Sequence, residues 1–246
     1  DYDVTSHIRD VNGHEIFKNN RLTSQFLSNY TGIQMLAGVR PEDIEDVTER
    51  YHAFLGIEFE SDTIKKVCLH QADGTPDREI YVISLIEHKS AVDYDVAMQL
   101  FRYMSVIWYD YRMEQNKKKK DANRRKAFRY PLIIPFVYYE GKEKWTAGLH
   151  LKDRIEFAEE MSEYIPDFQY HVVSVQQYTN EELSKKGDEM ALVMLINKIQ
   201  NPEDWKRFTE EAREFVDTAY AQASDEIKEV IIKVLWALLK KDECAE

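Results

Sequence analysis

The stretch that decides the fold is DTIKKVCLHQADGTPDREIYVISLIEHK, residues 62–89. Two runs rich in β-branched and aromatic residues, 62–70 and 79–89, flank a turn-forming segment at 71–78. Such runs predict two strands, and so short a connection predicts that they pair as an antiparallel hairpin. The second run has apolar residues on both faces, which is typical of a central strand covered on both sides.

The predicted hairpin brings charged residues together at its open end. If the turn is centred just after Gly74, Asp62 pairs with Glu87. In the same register Glu60 pairs with Lys89, and directly opposed Cβ atoms lie about 5 Å apart. Because side chains alternate along a strand, Glu87 and Lys89 share a face. The hairpin therefore predicts an acid pair and a lysine on one face.

This charge pattern is suited to a divalent cation. Two carboxylates held so close repel each other unless a cation lies between them. Mg²⁺, or Mn²⁺ in its place, prefers oxygen ligands and typically binds one or two carboxylates together with waters and phosphates. Lys89 is placed to orient a metal-bound water or to stabilise charge on a phosphate. Taken alone, E-x-K at a strand end is also typical of a solvated surface charge pair.

Composition narrows the class of protein. The chain has 246 residues, 43% of them hydrophobic, which suits one large domain, or a domain with a helical extension. A net charge of −12 argues against a protein coated in nucleic acid but allows a local basic track. With Cys68 and Cys244 as its cysteines, no disulfide framework and no cysteine zinc site is expected. The sequence shows no signal peptide and no apolar run long enough to span a membrane, so we expect a cytoplasmic protein with no membrane partner.

The remaining segments alternate between predicted helices and strands. Helices are predicted in the first fifty residues, at 41–51, 93–114 and 151–161, and from Glu181 onward. Strands are predicted at 130–139, where two prolines indicate an edge or irregular strand, and at 169–175. The sum is an α/β fold with a helical C-terminal portion.

Six stretches between residues 14 and 175 carry a resemblance to a known family. They are HEIFKNN, RYHAF…ESDTIKKV, YVISLIEHKS, MQLFRYMSVIWYDY, YPLIIPFVYYEGKEKW and YIPDFQYHVVSV. Together they resemble the Rpn (recombination-promoting nuclease) family of YhgA-like putative transposases, within the PD-(D/E)XK nuclease superfamily. The helices after residue 175 match in character alone.

The resemblance implies a fold and an activity. The implied fold is a PD-(D/E)XK-type mixed β-sheet core flanked by helices. The implied activity is Mg²⁺-dependent cleavage of DNA with low sequence specificity, associated with recombination and mobile elements. Asp62 and Glu87 would be the metal ligands and Lys89 the water-orienting base. We expect the nuclease-like core at 1–178 and a helical extension at 179–246.

Four further residues are candidates for supporting roles. Gln99 and Tyr103 lie i, i+4 on the helix after E-x-K and share a helical face. A similar pair in related nucleases supports the site or contacts DNA; the alternative is a solvent-facing glutamine and a core tyrosine. Glu15 occupies the place of an extra acidic ligand, or is a carboxylate favoured by a helix N-terminus. Glu60 is a candidate salt-bridge partner for Lys89.

Residues 116–129, NKKKKDANRRKAFR, form what we call the basic segment, with eight basic residues and one acid. Lysine and arginine side chains there are predicted to contact DNA phosphates; the alternative is a solvated, mobile loop, and both can hold, because a flexible basic loop can clamp a DNA backbone. The predicted DNA-contacting residues are Lys117, Lys118, Lys119, Lys120, Arg124, Arg125, Lys126 and Arg129.

Two other functions remain open on the sequence. The first is a catalytically inactive, nuclease-derived module that binds DNA or protein. The second is a glycosidase with a carboxylate pair, which fits the acids but leaves Lys89 and the basic segment without a role. The C-terminal helices offer a surface for a homo-oligomer.

Overall fold

The computed structural model describes residues 15–55, 62–71, 74–87 and 92–243. Its strands are β1 (Ile44–Asp46), β2 (Thr63–His70), β3 (Pro76–Glu87), β4 (Ile133–Tyr139) and β5 (His171–Ser174). They form a five-stranded mixed sheet in the order β1-β2-β3-β4-β5. The first three strands are antiparallel neighbours, and β3, β4 and β5 run parallel. The predicted α/β class is confirmed.

Helices pack on both sides of this sheet. They are α1 (Asn20–Asn29), α2 (Thr48–Leu55), α3 (Val96–Lys118), α4 (Asn180–Lys186), α5 (Glu189–Asn197), α6 (Pro202–Glu211), α7 (Arg213–Gln222) and α8 (Asp225–Glu243). A helical turn at 15–18 precedes α1. The helical C-terminal portion is confirmed. Within the described ranges, no helix combines the length and the apolar character needed to cross a membrane.

The alternation of side chains along β3 divides the core into two layers. Ile80 and Val82 pack with α1 and with the helices from α4 to α8. Tyr81 and Ile83 pack against α3 on the other face. Because both faces of β3 are covered by helices, its apolar residues are continuous rather than alternating, as the sequence predicted.

The C-terminal helices belong to the first of these layers. All residues of α5 from 190 to 197 are buried, which explains why this helix is apolar on every side. At its end, Asn197 Nδ2 donates to Glu140 Oε1 at 2.7 Å and to Tyr138 Oη at 3.0 Å. These buried bonds tie α5 to the end of β4. The division at residue 178 stays a prediction.

The hairpin pairs in a register different from the predicted one. Thr63 pairs with Ser84 and Leu69 with Arg78, which displaces the pairing by two residues. The predicted pairing of Asp62 with Glu87 was therefore wrong; the 60–89 pair lies outside the described residues. The pair next to the turn is His70 with Pro76, so the turn lies nearer the N-terminus than predicted, and the irregularity between Leu69 and His70 reduces the resulting shift by one residue. Since side chains alternate with period two, a two-residue shift leaves the same positions sharing a face.

Two predicted helices were wrong at least in part. Residues 41–51 contain a 3₁₀ turn, the edge strand β1 and only the start of α2, because β2 offers its free edge to β1. Residues 151–161 form short turns instead of a helix. There Leu151 is buried, but Phe157 is 71% exposed with a φ of 59°. An apolar pattern without a surface to pack on does not sustain a helix.

The prediction of an edge position for β4 was also wrong, because β5 extends the sheet beyond it. β5 begins opposite Phe136, so at Pro135 the strand still has β3 as its paired neighbour and no partner on the β5 side. A proline lacks an N–H for the ladder, and this position, where only one side is paired, tolerates it.

Candidate active site

Asp62 lies directly before the first residue of β2 and is 3% exposed. Its Oδ2 accepts a hydrogen bond from Tyr103 Oη at 2.7 Å and another from Gln99 Nε2 at 3.1 Å. A buried carboxylate is costly unless donors of this kind surround it. Asp62 is thus held in a fixed orientation by two side chains of α3.

The position of α3 explains why these donors meet the carboxylate. Ile64 and Ile83 pack against Leu100 on the face of the sheet that α3 covers. Gln99 and Tyr103, four residues apart, lie on one side of that helix and point at the same end of β2. The sequence singled out this pair correctly as neighbours; its role in function stays a prediction.

The hydroxyl of Tyr103 is a permanent donor in this arrangement. The side chain is fully buried. Burial raises the pKa of Tyr103, and the charge of Asp62 and the hydrogen bond to it raise the pKa further. The phenol therefore stays protonated far above neutral pH and donates to the carboxylate throughout the physiological range.

The other half of the predicted motif is described in part. Glu87 is the last residue of β3, and its backbone pairs with that of Tyr139. Thr63, next to Asp62, pairs with Ser84 near the end of the same strand, so Asp62 and the end of β3 lie at one end of the hairpin. Glu60, Lys89 and the neighbouring His88 lie outside the described residues. The roles of Glu87 and Lys89 accordingly stay predictions.

Glu15 is engaged elsewhere in the fold. It begins the helical turn before α1, whose Ile16 and Phe17 belong to the layer opposite α3. Its Oε2 pairs with Lys233 Nζ of α8 at 2.6 Å. Among the residues that the structure describes, no three His, Cys, Asp or Glu side chains form a group able to hold a metal ion. Metal binding by Asp62 and Glu87 accordingly stays a prediction.

The basic segment begins far from Asp62 but turns back along α3. It starts in the last turn of α3, whereas Gln99 is in the first turn, and the helix from Gln99 to Lys117 spans about 27 Å. At the other end of the segment, Phe128 packs on Tyr111 and Tyr130 on Trp108, which lie about 18 Å and 14 Å along the helix from Gln99. All eight predicted DNA-contacting side chains are exposed. The segment is folded rather than a plain loop: Asn123 N–H donates to Asn116 Oδ1 at 3.1 Å, and residues Ala122–Arg124 form a 3₁₀ turn.

A buried ion pair beside the sheet was missed by the sequence reasoning. Lys65 is fully buried, and its Nζ donates to Asp46 Oδ2 at 2.8 Å and to Asn20 Oδ1 at 3.4 Å. Burial lowers the pKa of Lys65. Burial alone would raise the pKa of Asp46, but hydrogen bonds from Lys65 and Thr48 outweigh it and hold that pKa below its ordinary value. The sequence did contain a signal for the burial of Lys65, because side chains two residues apart on a strand share a face and Val67 is apolar.

The fold and the site define an α/β protein with a buried, hydrogen-bonded carboxylate at the open end of a central hairpin. Residues 14–227 match the family described as "Putative transposase, YhgA-like", which is most of the chain. The chain belongs to this family, as the sequence motifs indicated, and the family's description supports a transposase-like role. No curated protein and no solved structure matches it at a significant level.

Proposed function

We propose that this chain is a metal-dependent DNA endonuclease with Asp62 in its active site. The observation that carries the proposal is the pair of hydrogen bonds from Gln99 and Tyr103 to one oxygen of the buried Asp62. A carboxylate that only stabilised the strand end would be better placed in water, because burying it requires dedicated donors. Orientation by neighbouring side chains is what a metal-ligating carboxylate needs.

In this proposal Asp62 and Glu87 hold Mg²⁺, or Mn²⁺ in its place. The donor set fits the ion, because Mg²⁺ prefers carboxylate oxygens and retains several waters. When bound, the ion lowers the pKa of a water and stabilises charge on the phosphate. Tyr103 and Gln99 keep Asp62 in a single orientation, and Lys89 orients the attacking water. The roles of Tyr103 and Gln99 rest on their hydrogen bonds to Asp62, and the role of Lys89 rests on the sequence motif.

The substrate in this proposal is DNA, bound chiefly through its phosphates. Eight exposed cations in the basic segment supply contacts that are independent of sequence, which agrees with low specificity. The helix positions that carry the segment lie about 14 Å to 27 Å along α3 from Gln99, which contacts Asp62, and this corresponds to roughly four to eight base pairs of a duplex. One DNA molecule lying along α3 could therefore reach both places.

Cleavage of supercoiled plasmid DNA, with Mg²⁺ and with EDTA, tests the activity. We expect metal-dependent cleavage by the wild-type chain and loss of cleavage in Asp62→Asn, which keeps the size of the side chain but removes its charge. Asp188→Asn is the matched control, because Asp188 also accepts a 2.7 Å bond from a tyrosine, Tyr30, on the opposite layer. Cleavage that persists in Asp62→Asn would place the active site elsewhere.

Metal binding gives a second readout that is independent of cleavage. A ligand that binds only the folded chain raises its melting temperature in proportion to RT ln(1 + [L]/Kd). We expect Mn²⁺ to raise the melting temperature of the wild type and of Asp188→Asn more than that of Asp62→Asn. Equal shifts in all three proteins, together with DNA binding and no cleavage, would favour the inactive binding module.

A further inference from the structure

The basic segment is packed onto α3 by a ladder of four aromatic rings. Ring centroids are 6.0 Å apart between Tyr111 and Phe128, 5.1 Å between Phe128 and Tyr130, and 6.3 Å between Tyr130 and Trp108. The indole Nε1 of Trp108 also donates to the carbonyl of Pro131 at 3.0 Å. The ladder spans the last turns of α3 and the residues that lead into β4, so it holds both in one arrangement.

Part of this ladder faces solvent. Tyr130 is 48% exposed, and Leu132, two residues further on, is 49% exposed. Trp108, Tyr111 and Phe128 are half-buried. An exposed ring that is held by its neighbours loses little conformational freedom when a flat ligand stacks on it, which makes it a suitable stacking surface.

The cations next to the ladder are largely available for a ligand. Among the described residues, the eight basic side chains of the segment form one salt bridge, between Arg124 and Asp121 at 3.8 Å. Arg129, adjacent to Tyr130, donates to the carbonyls of Lys126 and Phe128, which fixes its guanidinium next to the backbone of the segment. Glu114, the nearest acid of α3 in sequence, is paired with Arg50 at 3.3 Å. An anionic ligand therefore meets a positive surface with exposed rings in it.

We propose that the aromatic ladder and the basic segment bind single-stranded DNA, with a base stacking on Tyr130 and phosphates contacting the surrounding cations. Surfaces of this composition suit unpaired strands, because every unstacked base offers a face to a ring. In a duplex the faces of the bases are covered by their neighbours, so cations would suffice and the exposed rings would have no role. This inference rests on the proposed action on DNA, and names the form of DNA held away from the cleavage site.

Binding of the full chain to fluorescent DNA in EDTA, followed by anisotropy, separates this site from catalysis. The probes are an oligothymidine of about 16 nucleotides and a duplex of the same length. We expect Tyr130→Ala to weaken binding of the single strand at least about fivefold, the lower end of what one stacked base contributes. Binding of the duplex is expected to change by less than about twofold, since its bases remain stacked.

Three further variants make the result specific. Tyr130→Phe keeps the ring and is expected to bind like the wild type. Tyr164→Ala removes a ring that is 75% exposed and follows an acid, Glu163, where Tyr130 follows Arg129; it is the matched control with no expected effect. Lys126→Ala removes a charge and is expected to weaken both forms of DNA, with a smaller salt dependence.

The inference is overturned if Tyr130→Ala weakens the binding of single-stranded and duplex DNA equally, or weakens neither. It is also overturned if the wild-type chain binds neither probe. The inference and the proposed function fail separately. Strand-specific loss in Tyr130→Ala without any metal-dependent cleavage would sustain the site and reject the nuclease. Cleavage that depends on Asp62, together with normal binding of both probes by Tyr130→Ala, would support the nuclease and reject the single-strand site.

Discussion

Replacing Tyr103 by Phe is the sharpest test of the hydrogen-bonded carboxylate. The substitution removes one oxygen atom from a fully buried side chain and leaves the ring that packs in the core. What it takes away is the 2.7 Å bond to Asp62 Oδ2, after which Gln99, at 3.1 Å, remains as a donor to that oxygen. Packing is conserved, so the change in stability reports the bond.

The expected size of the effect follows from the burial and charge of the acceptor. A hydrogen bond to a charged group contributes about 1.5–3 kcal/mol. For a chain of this size, 2 kcal/mol lowers the melting temperature by about 4–8 °C. Loss of a side chain that orients a metal ligand typically lowers metal affinity by about 10- to 100-fold. We therefore expect Tyr103→Phe to fold, to melt earlier and to need more Mg²⁺ for cleavage.

The assay combines thermal unfolding with a Mg²⁺ titration of plasmid cleavage. Tyr30→Phe is the matched control, because Tyr30 is 5% exposed and donates to Asp188 Oδ1 at the same 2.7 Å, in the layer opposite α3. It is expected to lower the melting temperature similarly while leaving the Mg²⁺ requirement unchanged. If Tyr103→Phe cleaves DNA with the wild-type Mg²⁺ dependence, Asp62 is a structural carboxylate and the assignment of the active site is wrong.

Three other perturbations have defined outcomes. Asp46→Ala leaves the fully buried Lys65 without its carboxylate and should lower the free energy of unfolding, measured by urea titration, by about 3–5 kcal/mol. Lys65→Met leaves only a partly exposed acid and should lower it markedly less. Equal losses in the two variants would contradict this account. Gly141→Ala places a Cβ against the hydroxyl and ring edge of the buried Tyr139 and should cost about 1–3 kcal/mol in the same titration; an unchanged free energy of unfolding would contradict this. The folded-state pKa of Tyr103 is raised above the unfolded value near 10. The contribution of this group to stability is therefore complete below about pH 10 and is lost as the pH rises further. Above that pH, the melting temperature of the wild type should fall more steeply than that of Tyr103→Phe.

The position of the C-terminal helices bears on how these variants should be made. Glu140, at the end of β4, accepts its buried bond from Asn197 of α5. Glu15 likewise pairs with Lys233 of α8. Because α5 and α8 contact the rest of the fold in this way, the measurements belong on a chain that includes these helices.

Local patterns in the sequence were sufficient for the α/β class, for β2 to β5 and for α3. Alternation of apolar residues and helical periodicity are properties of neighbouring residues, so they can be read without the fold. The same periodicity placed Gln99 and Tyr103 on one helical face, and the structure shows both reaching Asp62. The family was also recognisable at this level, from six short stretches.

The tertiary structure alone decided the features that depend on distant partners. The register of the hairpin differs by two residues from the predicted one because it depends on where the turn closes, next to the pair of His70 with Pro76. β1 exists because β2 has a free edge, and 151–161 is no helix because its apolar side chains find too little surface to cover. The burial of Lys65 requires Asp46, and the place of the basic segment relative to Asp62 is set by α3 and by the rings that pack the segment onto it. In each case the deciding interaction is non-local, and a sequence pattern records only what neighbouring residues prefer.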